Sequence, residues 1–151
     1  MSRTIEQMAE DLDALSPRDF DEMNTEADGP ERLRRICDEM LQMGDVAACA
    51  PGLFRTMERL DTVDLGSLGP IVHALERWTG GYESLLSESV RRKPSPLAVW
   101  MVNRILNAGP ADAPEWLDLL RGVADHPSAS AETKAEARDF LEYQESEATL
   151  T

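Results

Sequence analysis

An all-α fold is predicted for this 151-residue chain by three observations. No sustained alternation of apolar and polar residues marks a strand. Apolar residues recur at three- and four-residue spacing from end to end, and proline, glycine and capping residues punctuate these runs. With a hydrophobic share of 42% and a charged share of 29%, the composition is that of a globular chain, and its length suits one domain, 1–151. An acidic N-terminal segment, 1–29, and a frayed tail, 145–151, are expected at its two ends.

Thr4 and Gln7 fit a capping box, and Ile5, Met8, Leu12 and Leu15 form the stripe of a first helix. Ser16 then caps a short helix with Asp19 at its third position, Pro17 in its first turn, and Phe20 and Met23 on it. The loop from Glu26 to Gly29 ends it. Pro30 opens a helix on which Leu33, Ile36, Cys37, Met40 and Leu41 keep strict helical spacing up to Gly44. Val46, Cys49, Leu53, Met57 and Leu60 share a further face, but Pro51 lacks a donor and crowds the preceding turn. A short turn and then a helix from Pro51 is therefore expected, rather than one rod.

After a connection from Asp61 to Ser67, Leu68, Ile71, Val72 and Leu75 line a helix closed by Gly80 and Gly81. Tyr82, Leu85, Leu86 and Val90 line its successor, which ends in Arg91, Arg92 and Lys93, cations suited to the negative end of a helix dipole. The helix begun at Pro94–Pro96 is apolar around most of its girth (Leu97, Val99, Trp100, Met101, Val102, Ile105, Leu106) and belongs at the centre of the packing. Its Asn103, Arg104 and Asn107 are expected to cap or cross-link neighbouring segments, since a buried polar group without a partner costs about 1–3 kcal/mol. Trp116, Leu119, Leu120 and Val123 define a helix entered through Pro114 and stopped at His126 and Pro127. A last helix from about Ser130 carries Thr133, Ala137, Phe140, Leu141 and Gln144 on one face.

A weak internal repeat joins Leu85-Leu86 to Leu119-Leu120, Pro94 to Pro127, and Ile105-Leu106 to Phe140-Leu141, at offsets of 34, 33 and 35 residues. Two-helix repeats of roughly this period build helical solenoids. The eight or so short helices are thus expected in antiparallel pairs, as a right-handed, HEAT-like α–α superhelix rather than a closed bundle.

Charge bounds the partners. The chain holds 29 Asp and Glu against 15 Lys and Arg, a formal charge of −14 that repels phosphate backbones and anionic lipid and attracts basic proteins. Neither nucleic acid nor membrane is an expected partner. Residues 1–29 alone carry nine acids and two bases, and Asp11, Asp13, Asp19, Asp21, Glu22, Glu26 and Asp28 form the densest cluster, suited either to solubility or to a basic partner. Charge reversal at Asp19, Asp21 and Glu22 is expected to weaken binding and flatten its salt dependence. Trp78 and Tyr82 flank Gly80-Gly81 and are the aromatic candidates for an interface, although core packing suits both.

Catalysis finds no support in the sequence, and no cofactor or metal is expected. His73 and His126 read as a partly buried, hydrogen-bonded side chain and a helix C-terminal cation. Two His and two Cys on separate helices do not make a zinc site. Gly66-Ser67-Leu68-Gly69 lacks the lysine and the preceding strand of a phosphate loop. Cys37 and Cys49 lie on apolar faces and read as structural thiols. No run approaches the roughly 18 apolar residues of a membrane span, and the start turns polar and acidic at once, so a cytoplasmic protein is expected.

One further signal is a resemblance. The run from Asp64 to Glu76 (DLGSLGPIVHALE), Tyr82 to Leu86, Ser89 to Pro94, and Val99 to Asn107 (VWMVNRILN) resembles small immunity proteins encoded beside contact-dependent and type VI secreted polymorphic toxins. The match covers about a third of the chain. It implies a toxin inhibitor that binds a cognate toxin domain, one with a basic surface, and blocks it. The shared residues look like scaffold, so the resemblance assigns no inhibitory residue. The alternative kept beside it is a helical-repeat adaptor that joins two cellular proteins with no toxin partner.

Overall fold

A computed structural model describes residues 3–65, 69–78 and 80–149, with side chains through 147. All regular structure among them is helical. Eight α-helices and one 3₁₀ turn are present: α1 (Ile5–Asp13), the 3₁₀ turn (Pro17–Phe20), α2 (Gly29–Met43), α3 (Val46–Arg59), α4 (Pro70–Glu76), α5 (Tyr82–Arg92), α6 (Pro96–Asn107), α7 (Ala113–Ala124) and α8 (Ala131–Thr149). Two compact units, 1–85 and 86–151, divide the chain within α5.

In the first unit the expected capping box forms: Thr4 Oγ1 accepts from the Gln7 amide at 3.1 Å, and Gln7 Oε1 accepts from the Thr4 amide at 2.9 Å. The other end of α1 is closed from a distance. Arg59 donates to the carbonyls of Leu15 at 2.7 Å and Leu12 at 2.9 Å, the second of which also accepts from the Leu15 amide at 3.1 Å. Met8, Leu12 and Leu15 are each 1% exposed and pack α1 against α2 and α3. Burying side chains of this size contributes about 1.5–3 kcal/mol each.

Two corrections fall here. The helix expected to carry Phe20 and Met23 is a four-residue 3₁₀ turn that ends at Phe20, leaving Met23 89% exposed. The turn stops because the Asp21 carboxylate bonds the Met23 amide at 2.9 Å, an Asx turn competing with helical continuation. The break expected at Pro51 is also absent, since α3 runs unbroken through it. Asp45 caps that helix at the Ala48 amide, and the buried face from Val46 and Cys49 to Leu53, Phe54 and Met57 spans both sides of the proline. That burial outweighs the roughly 3 kcal/mol that an interior proline costs.

Gly44 ends α2 at φ 71°, the left-handed conformation its lack of a Cβ permits. At the other end Gly29 is buried. A Cβ there would lie 2.6 Å from the Asp19 carbonyl oxygen, so the 3₁₀ turn rests directly on the first turn of α2. Helix α4 packs on α2 and α3; the expected start at Leu68 lies outside the described residues, and the helix stops at Glu76, short of Gly80.

In the second unit, Ser95 caps α6 through the Ala98 amide at 3.3 Å, and α6, α7 and α8 pack pairwise. Ala98, Val99, Met101 and Val102 are fully buried, as a helix apolar on most sides requires. Asn103, 8% exposed, accepts from Gln144 Nε2 at 2.7 Å, and Asn107 accepts from the same nitrogen at 2.8 Å. The asparagines thus cross-link α6 to α8, and Arg104 stacks 5.4 Å over the Trp100 ring. No buried side-chain nitrogen or oxygen among the described residues lacks a partner. Helix α8 continues to Thr149, past Glu145, where the expected frayed tail begins.

Candidate functional site

The acidic cluster sorts into two kinds of carboxylate. Asp11 meets Arg3 Nε at 2.8 Å, and Asp13 lies 3.9 Å from Arg55 Nε. Asp19 and Asp28 approach the same atom, Arg32 Nη1, at 3.4 and 3.2 Å. Asp19 also accepts from the Ser16 amide at 2.8 Å and the Ser16 hydroxyl at 3.2 Å. The amide bond first, with the hydroxyl, Arg32 and Arg18 adding, holds its carboxyl below the ordinary value against partial burial. All four have an arginine partner within the chain, although Asp13 and Asp28 remain exposed.

Asp21, Glu22 and Glu26 are exposed as well, with no arginine partner among the described residues. They sit on the loop between the 3₁₀ turn and α2, whose two flanks are drawn together by Arg32 through Asp19 and Asp28. Inside the loop, Asn24 is the anchor. Its Nδ2 donates to the Arg18 carbonyl at 3.1 Å, its Oδ1 accepts from the Glu26 amide at 3.1 Å, and its amide donates to the Asp21 carbonyl at 3.0 Å. The loop backbone is therefore fixed by its own hydrogen bonds, and Met23 projects from it with three carboxylates around it in sequence. A large apolar side chain 89% exposed among charges is a ready-made contact for a partner whose pocket is apolar and whose rim is basic.

Trp78 and Tyr82 lie elsewhere. Tyr82 is 8% exposed and belongs to the core at the start of α5. Trp78 is half-buried, and its indole lies on Gly81 so closely that any Cβ there would collide with the ring. It rims a recess of about 440 Å³ with Gly44, Asp45, Val46 and Arg77. Gly44 follows the end of α2 and the loop precedes its start, so the length of that helix, about 20 Å, separates Trp78's recess from Met23.

The histidines differ from their expected settings. His73 is exposed on α4, not partly buried, because the buried face of that short helix is taken by Ile71, Val72, Ala74 and Leu75. His126 engages both ring nitrogens with main chain: Nε2 lies 2.7 Å from the Arg91 carbonyl, and Nδ1 accepts from the Ser128 amide at 3.0 Å. The ring thus bridges two chain segments through main-chain contacts. Neither nitrogen is left to a carboxylate. Cys37 and Cys49 are free and buried, and burial, with Asp38 and Cys49 adding, pushes the Cys37 thiol up to about 12. Among the described residues no group of three or more His, Cys, Asp or Glu is placed to hold a metal, and no helix is long and apolar enough to cross a membrane.

The chain matches no protein-family model, and neither a curated protein nor a solved structure is significantly similar to it.

Two features of this surface escaped the sequence. The periodicity predicts Met23 on a helix, whereas Asp21, two residues before it, is the signal of the Asx turn that forms. Asp11 and Asp13 meet their arginines with no local signal, whereas Asp19 has the Ser16 capping pattern three residues before it and Asp28 has Arg32 at the i+4 spacing of a helical pair.

Proposed function

We propose that this chain is an immunity protein, acting in the cytoplasm, that binds and neutralises a cognate bacterial toxin domain through its acidic N-terminal surface. The observation that carries the reading is Met23, 89% exposed on a loop held rigid by Asn24 and flanked by Asp21, Glu22 and Glu26. Toxin domains that act on nucleic acid or nucleotides need basic clefts. An acidic inhibitor is steered to such a cleft by long-range attraction and then needs an apolar anchor to stay. A backbone fixed before binding reduces the ordering cost on association. Inhibition by occupancy makes and breaks no bond, which accords with His126 being committed to main-chain contacts.

The architecture that goes with this reading is a right-handed stack of antiparallel helix pairs. Its support is the 35-residue spacing of the contacts from Arg91 to His126 and from Lys93 to Ser128, which matches the period of the sequence repeat.

The deciding experiment is co-expression with the toxin domain encoded by the neighbouring gene. The chain is expected to restore growth, and the double variant E22K/E26K, together with Met23→Asp, is expected to lose that protection while keeping its helical circular dichroism. Asp19 and Asp21 are left out because reversing them would break the 3₁₀ turn and the Asx turn that follows it. A folded triple variant that protects as well as the parent would remove the loop from the interface, and failure of the parent chain to protect would remove the function.

A further inference from the structure

Nothing in the packing of α7 calls for glycine at Gly122. The residue lies inside the helix, a Cβ built on it meets no atom within 4 Å, and glycine is the poorest helix former after proline. What the missing side chain leaves is space. A groove of about 310 Å³ runs between α7 and the end of α5, floored by Val90, Leu119 and Val123.

The groove is electrically polarised along α7. Glu115 stands at one end, in the first turn, with no ion pair or side-chain hydrogen bond among the described residues. Its neighbour Asp118 is engaged by Arg121 at 2.6 Å. At the other end Arg91 is fixed twice, its carbonyl by His126 and its guanidinium by the Ser87 hydroxyl at 2.6 Å. Glu115 and His126 are separated by about 16 Å of helix. An occupant therefore places a cation at Glu115 and keeps it away from Arg91, while its apolar part covers the floor.

We propose that this groove receives a lysine or arginine side chain of a partner protein, with its aliphatic stem on Leu119 and Val123 and its charged head at Glu115. Long cationic side chains have this division into apolar stem and charged tip, and the formal charge of −14 favours their approach. Gly122 is the residue that makes room for the stem. The site is independent of the loop at 21–28, so either surface can fail its test without deciding the other.

The test titrates the nitrogen-15-labelled full chain with two blocked pentapeptides, Gly-Leu-Arg-Leu-Gly and its glutamate-centred counterpart. The arginine peptide is expected to shift the amides of Leu119, Gly122 and Val123 saturably, and the glutamate peptide to leave them in place. Gly122→Met fills the groove and is expected to weaken binding about tenfold, and Glu115→Gln about threefold. Gly122→Ala, which adds only a methyl group in open space, is expected to melt higher than the parent. Equal response to both peptides, shifts confined to other residues, or a folded Gly122→Met that binds as tightly as the parent would overturn the proposal. If Gly122→Met does not fold, Glu115→Lys on the exposed first turn decides the matter by the same readout.

Discussion

Gln144 on α8 donates to the buried Asn103 on α6 across 2.7 Å, which makes an amide pair the polar fastening of an otherwise apolar contact. Gln144→Ala leaves the Asn103 oxygen without that donor and is expected to cost about 1–3 kcal/mol. The paired replacement Asn103→Leu with Gln144→Leu is expected to cost less than the sum of Asn103→Leu and Gln144→Leu made singly, because no buried polar atom is then stranded and the exposed Asn107 turns to water. Urea unfolding of the two single variants and the double variant measures the difference; strict additivity would mean the two side chains do not depend on each other.

Arg59 closes α1 from the end of α3. Arg59→Ala is expected to destabilise the chain by about 1–2 kcal/mol, since it strips donors from two helix-end carbonyls. Arg59→Lys is expected to recover only part of this, because one ammonium does not reproduce the two-pronged reach to Leu12 and Leu15. Chemical denaturation checks both, and full recovery by lysine would show that charge rather than geometry matters there.

Two carboxylates give stability opposite dependences on pH. The folded Asp19 carboxyl binds its proton less tightly than the unfolded one, whose ordinary value is 3.8. Its contribution is therefore complete above that value and is lost as pH falls through the lower folded value. For Glu136, burial first and then Glu132 and Asp139 raise the folded carboxyl above its ordinary 4.5. The stability linked to it is present below 4.5 and is lost as pH rises through the raised value. Asp19→Asn is expected to lower stability at neutral pH and flatten the acid limb, whereas Glu136→Gln is expected to raise stability at neutral pH. Melting curves from pH 3 to pH 7, on the order of the range over which carboxylates titrate, separate the two.

The native thiols are expected to resist modification. With Cys37 pushed up to about 12 and both cysteines buried, thiolate is scarce and access is blocked. A disulfide-exchange reagent at mildly alkaline pH should react at the rate of unfolding, and adding denaturant should release both thiols at once. Rapid reaction of the folded chain would place one of them at the surface.

Much of the helical framework was readable because its signals are local. Thr4 with Gln7, Gly44 after Met43, and Ser95 before Pro96 each fix a boundary through atoms within a few residues. Pro51 misled because its cost is local, whereas the burial of Cys49 and Leu53 that outweighs it is tertiary. The same division runs through the interaction surface. Asp11 and Asp13 look free in sequence because their arginines, Arg3 and Arg55, come from eight and 42 residues away. For Asp19 the capping partner Ser16, three residues before it, was readable, but Arg32, 13 residues after it, was not. The roles of Asn103 and Asn107 followed from polarity alone, but only folding identifies Gln144 as the donor they share.

The exposure of Met23 gives the molecule a chemical reporter of its own. Met8, Met40, Met57 and Met101 are each at most 1% exposed and Met43 is 41% exposed, so dilute peroxide reaches the thioether of Met23 first and that of Met43, on a separate segment, after it. Sulfoxide formation there, followed as a mass increase on a single peptide, would slow whenever another macromolecule shields the loop. Unlabelled protein in a crude extract thereby carries a built-in footprint of its own occupancy.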